Sequence, residues 1–125
     1  VTTPQDIALL DARKGIEMFR KVDVPVLGIV ENMSVYVCSA CGHVEHLFGE
    51  GGGERVAGHY GVPLLGRLPL SLEIREQADS GRPTVAAEPE GAAATLYRET
   101  ARRLAARLAA RGAGTPAPTI TVLDD

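Results

Sequence analysis

The chain has 125 residues, 45% of them hydrophobic and only 4% aromatic, with a formal net charge of -3. That is enough apolar mass for one domain with a modest core, but not comfortably for two. Thirteen basic against sixteen acidic side chains argue against a general nucleic-acid binder, and no apolar run approaches the roughly 20 residues that a membrane span needs. Only two lysines occur, Lys14 and Lys21, and neither follows a glycine, so the phosphate-binding pattern G-x-x-x-x-G-K-S/T is not present. The chain begins at Val1 rather than Met and has no secretory signal pattern, and its two cysteines are close together. Together these read as a piece of a cytoplasmic protein with redox or metal chemistry rather than a disulfide scaffold.

In chain order, Thr2-Thr3-Pro4-Gln5-Asp6 reads as a helix start, with Thr3 as N-cap and Pro4 in the first turn, where its missing N–H costs nothing. The helix is expected to run to Arg20, with Ala8, Leu9, Ala12, Ile16 and Phe19 on its apolar side and Arg13, Lys14, Glu17, Arg20 and Lys21 opposite. Residues 24–30 are β-branched and aliphatic apart from Pro25 and Gly28, the pattern of a strand buried on both faces of a parallel sheet. A second, shorter strand is expected at 64–68, with helices at 54–60, 72–78 and 91–111. On the last helix Tyr97, Ala101, Leu104 and Leu108 share a stripe, with Arg98, Arg102, Arg103 and Arg107 off it. Alternating strands and helices indicate an α/β, doubly wound fold with a mostly parallel sheet. Two buried strands need neighbours, so residues 1–3 read as the end of a third. After Gly112 the glycines and prolines read as a flexible tail, in which residues 119–123 could add an edge strand.

The strongest chemical signal is Cys38-Ser39-Ala40-Cys41-Gly42-His43-Val44-Glu45-His46. Two thiols this close can face one metal, and Gly42 allows the tight turn they need. The residues admit several readings: a thioredoxin-like redox pair, a zinc site built from Cys38, Cys41, His43 and His46, half of the four-thiolate set of an iron–sulfur cluster completed by a second copy, or two packing cysteines. Asn32 follows directly on the first strand and Pro69-Leu70 on the second. Ligands of open parallel sheets gather outside such strand ends, although an Asn capping its own turn is the more ordinary account of the first and a Pro ending a strand is ordinary too. The glycines between Gly49 and Glu54 lack a lysine and read as a hinge rather than a phosphate loop. His59 and the arginines of the last helix read as solvated or packed residues.

Taken in order, the helix opening at residues 1–6, Val26-Leu27-Gly28-Ile29-Val30-Glu31-Asn32-Met33-Ser34, Cys38-x-x-Cys41-Gly42-His43, Phe48-Gly49-Glu50-Gly51-Gly52, Val62-Pro63-Leu64-Leu65-Gly66 and the stretch from Ile74 to Pro83 strongly resemble the C-terminal half of the Mrp/ApbC iron–sulfur cluster carrier family. The resemblance implies that residues 1–111 form the C-terminal portion of a P-loop ATPase domain of the ParA/MinD class, with 112–125 as its tail. It implies a homodimer that carries a [4Fe-4S] cluster on Cys38 and Cys41 of each subunit and hands it to apo iron–sulfur acceptor proteins. Asn32 would contact adenine, with the backbone at Pro69 and Leu70 closing on the base. ATP with Mg would be bound by the intact protein. Ser39 stands where the family often has Pro, a mild departure. The family's phosphate loop, catalytic lysine and Mg-binding and switch residues lie in a half that this sequence does not contain, so this chain alone is not expected to hydrolyse ATP. The rival reading is a zinc-stabilised, non-catalytic interaction module built on the Cys/His loop.

Overall fold

The computed structural model describes residues 1–112; the expected tail beyond them and the edge strand at 119–123 lie outside the described residues. Helix α1 (Asp6–Lys21) is followed by strand β1 (Ile29–Glu31), a small hairpin of β2 (Tyr36–Val37) and β3 (Val44–Glu45), helix α2 (Gly52–Tyr60), strand β4 (Leu64–Arg67) and helices α3 (Leu72–Asp79), α4 (Thr84–Ala87) and α5 (Ala92–Ala110). Strands β1 and β4 pair in parallel, from Ile29 opposite Leu64 to Glu31 opposite Arg67, with a register shift after Ile29. The third strand expected at the N-terminus is represented by Thr2, which bridges Glu31 in parallel; its N–H donates to Val30 O (2.9 Å), and its carbonyl accepts from Asn32 N (2.7 Å).

Leu9 and Ile16 of α1, Ile29 of β1 and Val56, Ala57 and Tyr60 of α2 form the core, with Val26, Val62 and Leu64 packed against it. Each large aliphatic side chain so buried is worth about 1.5–3 kcal/mol relative to exposure, so this one cluster fixes both helices on one side of the sheet. Arg20 adds a clamp: its guanidinium lies 4.8 Å from the centre of the Tyr60 ring and donates to Tyr60 O (2.8 Å). Gly61, at φ +65°, ends α2 in the left-handed conformation and turns the chain into β4.

Several expectations are corrected. α1 starts at Asp6 with Gln5 as N-cap, not at Thr3, because Thr2 is drawn into the sheet and Pro4 is buried. Of residues 24–30 only Ile29 and Val30 enter the ladder. Pro25 has no N–H to give, and the first inter-strand bond is Ile29 N to Pro63 O (2.9 Å). Of the stripe expected on α5 only Tyr97 is half-buried. Ala94 is fully buried and Thr100 packs against Gly66, but Ala101, Leu104 and Leu108 are exposed, because only the first half of the helix lies over β4. α4, expected as a link, is a single helical turn.

The glycine-rich stretch is no hinge. A Cβ on Gly52 would lie 2.5 Å from Leu9 Cδ1, and one on Gly53 would lie 2.8 Å from Glu31 Oε2. These glycines let the start of α2 press against α1 and β1. Gly53 N donates to Glu31 Oε2 at 2.5 Å, and Arg67 Nε stands 3.7 Å from Glu31 Oε1. Glu31 is 1% exposed. A buried carboxylate is tolerable here because a helix N-terminus and a guanidinium both face it. Glu31→Ala, which leaves the Gly53 N–H without its partner and opens a void, is expected to cost about 2 kcal/mol in equilibrium urea unfolding. Glu31→Gln, which keeps an acceptor there, should cost clearly less.

Candidate metal centre

The two cysteines sit on the turn between β2 and β3. Tyr36 pairs with Glu45 and Val37 with Val44, after which Cys38 N donates to His43 O (2.9 Å) and Gly42 N donates to Cys38 O (2.8 Å). This closes a turn of five residues, and Gly42 takes φ +71° within it, the conformation for which a glycine was expected. Both cysteines are free thiols; Cys38 is half-buried and Cys41 is exposed. The N–H groups of Ala40 and then Cys41, with the Cys41 side chain, hold the Cys38 thiol below its ordinary range, against partial desolvation and the negative charge of Glu45. Backbone donors converging on one sulfur favour the thiolate, the form that binds metal or attacks.

The histidines are turned elsewhere. His43 Nε2 stands 3.5 Å from Glu45 Oε1, while His46 places Nδ1 3.2 Å from Ser34 O and Nε2 3.8 Å from Glu50 Oε1. Among the described residues no three His, Cys, Asp or Glu side chains converge so as to hold a metal ion, so the four-ligand zinc site of Cys38, Cys41, His43 and His46 is not formed within one chain. The redox-pair reading also loses its geometry, since the cysteines occupy a hairpin tip rather than a helix N-terminus. What one chain offers is a pair of thiols.

The strand ends carry the other candidate residues. Asn32 Oδ1 accepts from Met33 N (3.0 Å), and Met33 has φ +55°, so the amide oxygen caps its own turn and the NH2 group is the part able to meet a ligand. Asn32 lines a cavity of about 460 Å³ with Val1, Thr2, Thr3, Ala8, Asp11 and Ala12. Pro69 lines a different cavity beside the hairpin, also about 460 Å³, together with Glu31, Ser34, His46, Glu50 and Arg67. Leu70 N donates to Val35 O (2.8 Å). Pro69 and Leu70 therefore lie at the root of the cysteine hairpin, while Asn32, which leaves the end of the adjacent strand, lines the other cavity. Of Glu31, Ser34 and His46, which tie these parts together, the sequence singled out only His46, and as a zinc ligand rather than as a tie to Ser34. The one available signal was a carboxylate ending an otherwise apolar strand.

A family model described as ParA, NUBPL iron-transfer P-loop NTPase, matches residues 1–105. The iron–sulfur cluster carrier protein of Pseudomonas fragi is 67% identical over 101 residues, covering 81% of this chain and 35% of its own length. The protein of that name from Escherichia coli K12 is 59% identical over 108 residues, 86% of this chain and 29% of its own. The iron–sulfur cluster transfer protein NUBPL of Mus musculus is 50% identical over 108 residues, 86% of this chain and 34% of its own. This chain thus spans about a third of the length of these curated relatives. Among solved structures, a nucleotide-binding protein from Archaeoglobus fulgidus in complex with ADP superposes with TM-score 0.59 at 34% identity over 73% of this chain and 36% of its own. The cell division ATPase MinD of Pyrococcus furiosus superposes with TM-score 0.65 at 26% identity over 85% of this chain and 40% of its own. Both superpositions agree with an α/β fold built on the parallel pairing of β1 and β4. Because the family match takes in β1, the cysteine hairpin, β4 and most of α5, the chain belongs to the ParA family of NUBPL-type iron-transfer P-loop NTPases.

Proposed function

We propose that this chain is the cluster-bearing part of an iron–sulfur carrier. Cys38 and Cys41 supply two thiolates to a [4Fe-4S] cluster, a second copy supplies the other two, and the loaded homodimer hands the cluster to apo acceptor proteins. The observation that carries this reading is the pair of thiols on one tight turn at an exposed tip, with Cys38 biased toward thiolate and no third ligand converging on them among the described residues. Four thiolates from two copies complete the coordination that two cannot. Val37 and Val44, paired across the hairpin, and Leu47 just beyond it are each about half exposed, apolar surface that a second copy or an acceptor could bury. A cluster shared across such an interface is released when the interface opens, which suits delivery. The names of the relatives support the carrier role.

Residues 1–111 are assigned to the C-terminal portion of the ATPase domain. The base of a purine nucleotide would meet the Asn32 NH2 group and the carbonyls near Pro69 and Leu70. The Leu70 N–H already serves Val35, so this backbone offers acceptors, which suit the exocyclic amine of adenine. Phosphate binding, Mg and hydrolysis are assigned to residues outside this sequence, which has no lysine after a glycine. Two free thiols fit the reducing cytoplasm. No helix among the described residues is long and apolar enough to cross a membrane.

Anaerobic reconstitution with iron and sulfide should give visible charge-transfer absorption at one cluster per two chains, lost in Cys38→Ser and in Cys41→Ser. Tight zinc at one ion per chain, lost in His43→Ala, is the result that would sink the assignment. In the apo protein the lowered Cys38 pKa keeps its thiolate populated to lower pH. As pH falls from 9 toward 7, iodoacetamide labelling followed by mass spectrometry should show Cys38 retaining reactivity to lower pH than a free thiol such as glutathione in the same tube. In the longer, nucleotide-binding protein, Asn32→Ala should weaken ADP binding about two- to tenfold in titration calorimetry, the worth of one hydrogen bond.

A further inference from the structure

The cysteine hairpin is joined to the sheet by a second ladder that continues the first. Leu68 N donates to Glu31 O (2.9 Å), Ser34 N donates to Leu68 O (3.0 Å), and Leu70 N donates to Val35 O (2.8 Å). Ser34 Oγ also reaches Leu68 O (3.3 Å), and Tyr36 bridges Leu70 in parallel. Residues 31–36 and 67–70 therefore run side by side from the sheet into the first strand of the hairpin. The return strand is fastened differently. His46, just past β3, sets Nδ1 3.2 Å from the carbonyl of Ser34, a residue only 5% exposed. A carbonyl can only accept, so this Nδ1 carries the proton. The hairpin itself has just two residue pairs, too few to hold a fixed orientation alone. Fastened at both strands, it moves with the strand ends.

We propose that His46 is a positioning residue that locks the cysteine hairpin onto the ends of β1 and β4, so that occupancy of the strand ends by a purine nucleotide changes the accessibility of Cys38 and Cys41. The inference rests on the nucleotide contacts assigned above to Asn32, Pro69 and Leu70, which flank the same ladder. A nucleotide that fits one arrangement of these strand ends better than another shifts the population of hairpin orientations by its differential affinity. Without the His46 bond the return strand is free to pivot, and the shift is dissipated before it reaches the thiols.

The test uses the longer, nucleotide-binding protein without iron, comparing iodoacetamide labelling rates of Cys38 and Cys41 with no nucleotide and at saturating ADP for each variant. In the unsubstituted protein ADP should change the labelling rate about fivefold or more, the low end of ordinary coupling between sites. His46→Leu should bring the ratio close to one. His46→Asn, whose amide nitrogen stands near the place of Nδ1 and can donate to Ser34 O, should restore most of the response. An ADP response that survives in His46→Leu, or one absent from the unsubstituted protein at saturation, overturns the proposal. Failure of the cluster assignment would show separately, as cluster absorption persisting in Cys38→Ser, and leaves the labelling result as it stands.

Discussion

Glu31 ends β1 with a carboxylate that is almost wholly buried, held by the first-turn N–H of Gly53 and faced by Arg67 from the neighbouring strand. A charge in that position is tolerable only if its partners are fixed around it, so the pairing of β1 with β4 and the docking of α2 are set by one group. It also closes a loop. Asn32 leaves the sheet where Gly51 returns to begin α2, and the Glu31–Gly53 bond holds these two points together. The intervening residues must therefore go out and come back, and a hairpin standing off the sheet end is the economical way to do so with its backbone groups paired.

That geometry explains why the chemistry sits where it does. The cysteines occupy the far end of the out-and-back path, where Gly42 turns the chain and backbone N–H groups aim at Cys38. The histidines lie on the return path and find oxygen partners there, Glu45 for His43 and Ser34 for His46. An isolated CxxC loop with two nearby histidines resembles a small zinc site. On this scaffold it becomes a two-thiol tip whose imidazoles serve the hairpin instead.

Part of the framework was legible from periodicity, since Leu9 and Ile16 fall on the buried side of α1 as their spacing requires, and α2 forms where a helix was expected. The strand expected over residues 24–30 was too long because apolar character marks burial, whereas a ladder also needs a partner at the same height. The exposed Leu104 and Leu108 of α5 mark the same limit: an amphipathic stripe says that a face is suited to packing, not how far the packed surface extends. The glycines of residues 51–53 were read through their flexibility, yet the missing Cβ matters there for close approach as well as for the turn.

By itself the sequence determined the α/β class, the buried face of α1, the turn at Gly42 and the placing of Cys38 and Cys41 on one short loop, because each follows from local spacing and residue type. Only the tertiary structure decided that Glu31 anchors α2, that the histidines face away from the thiols, that Asn32 and Pro69 open on different cavities, and that the hairpin is tied to the strand ends through Ser34, Leu68, Leu70 and His46. Most of these are contacts between residues 12 or more positions apart, and the direction of a side chain across such a gap depends on backbone register and close packing, which no local pattern encodes.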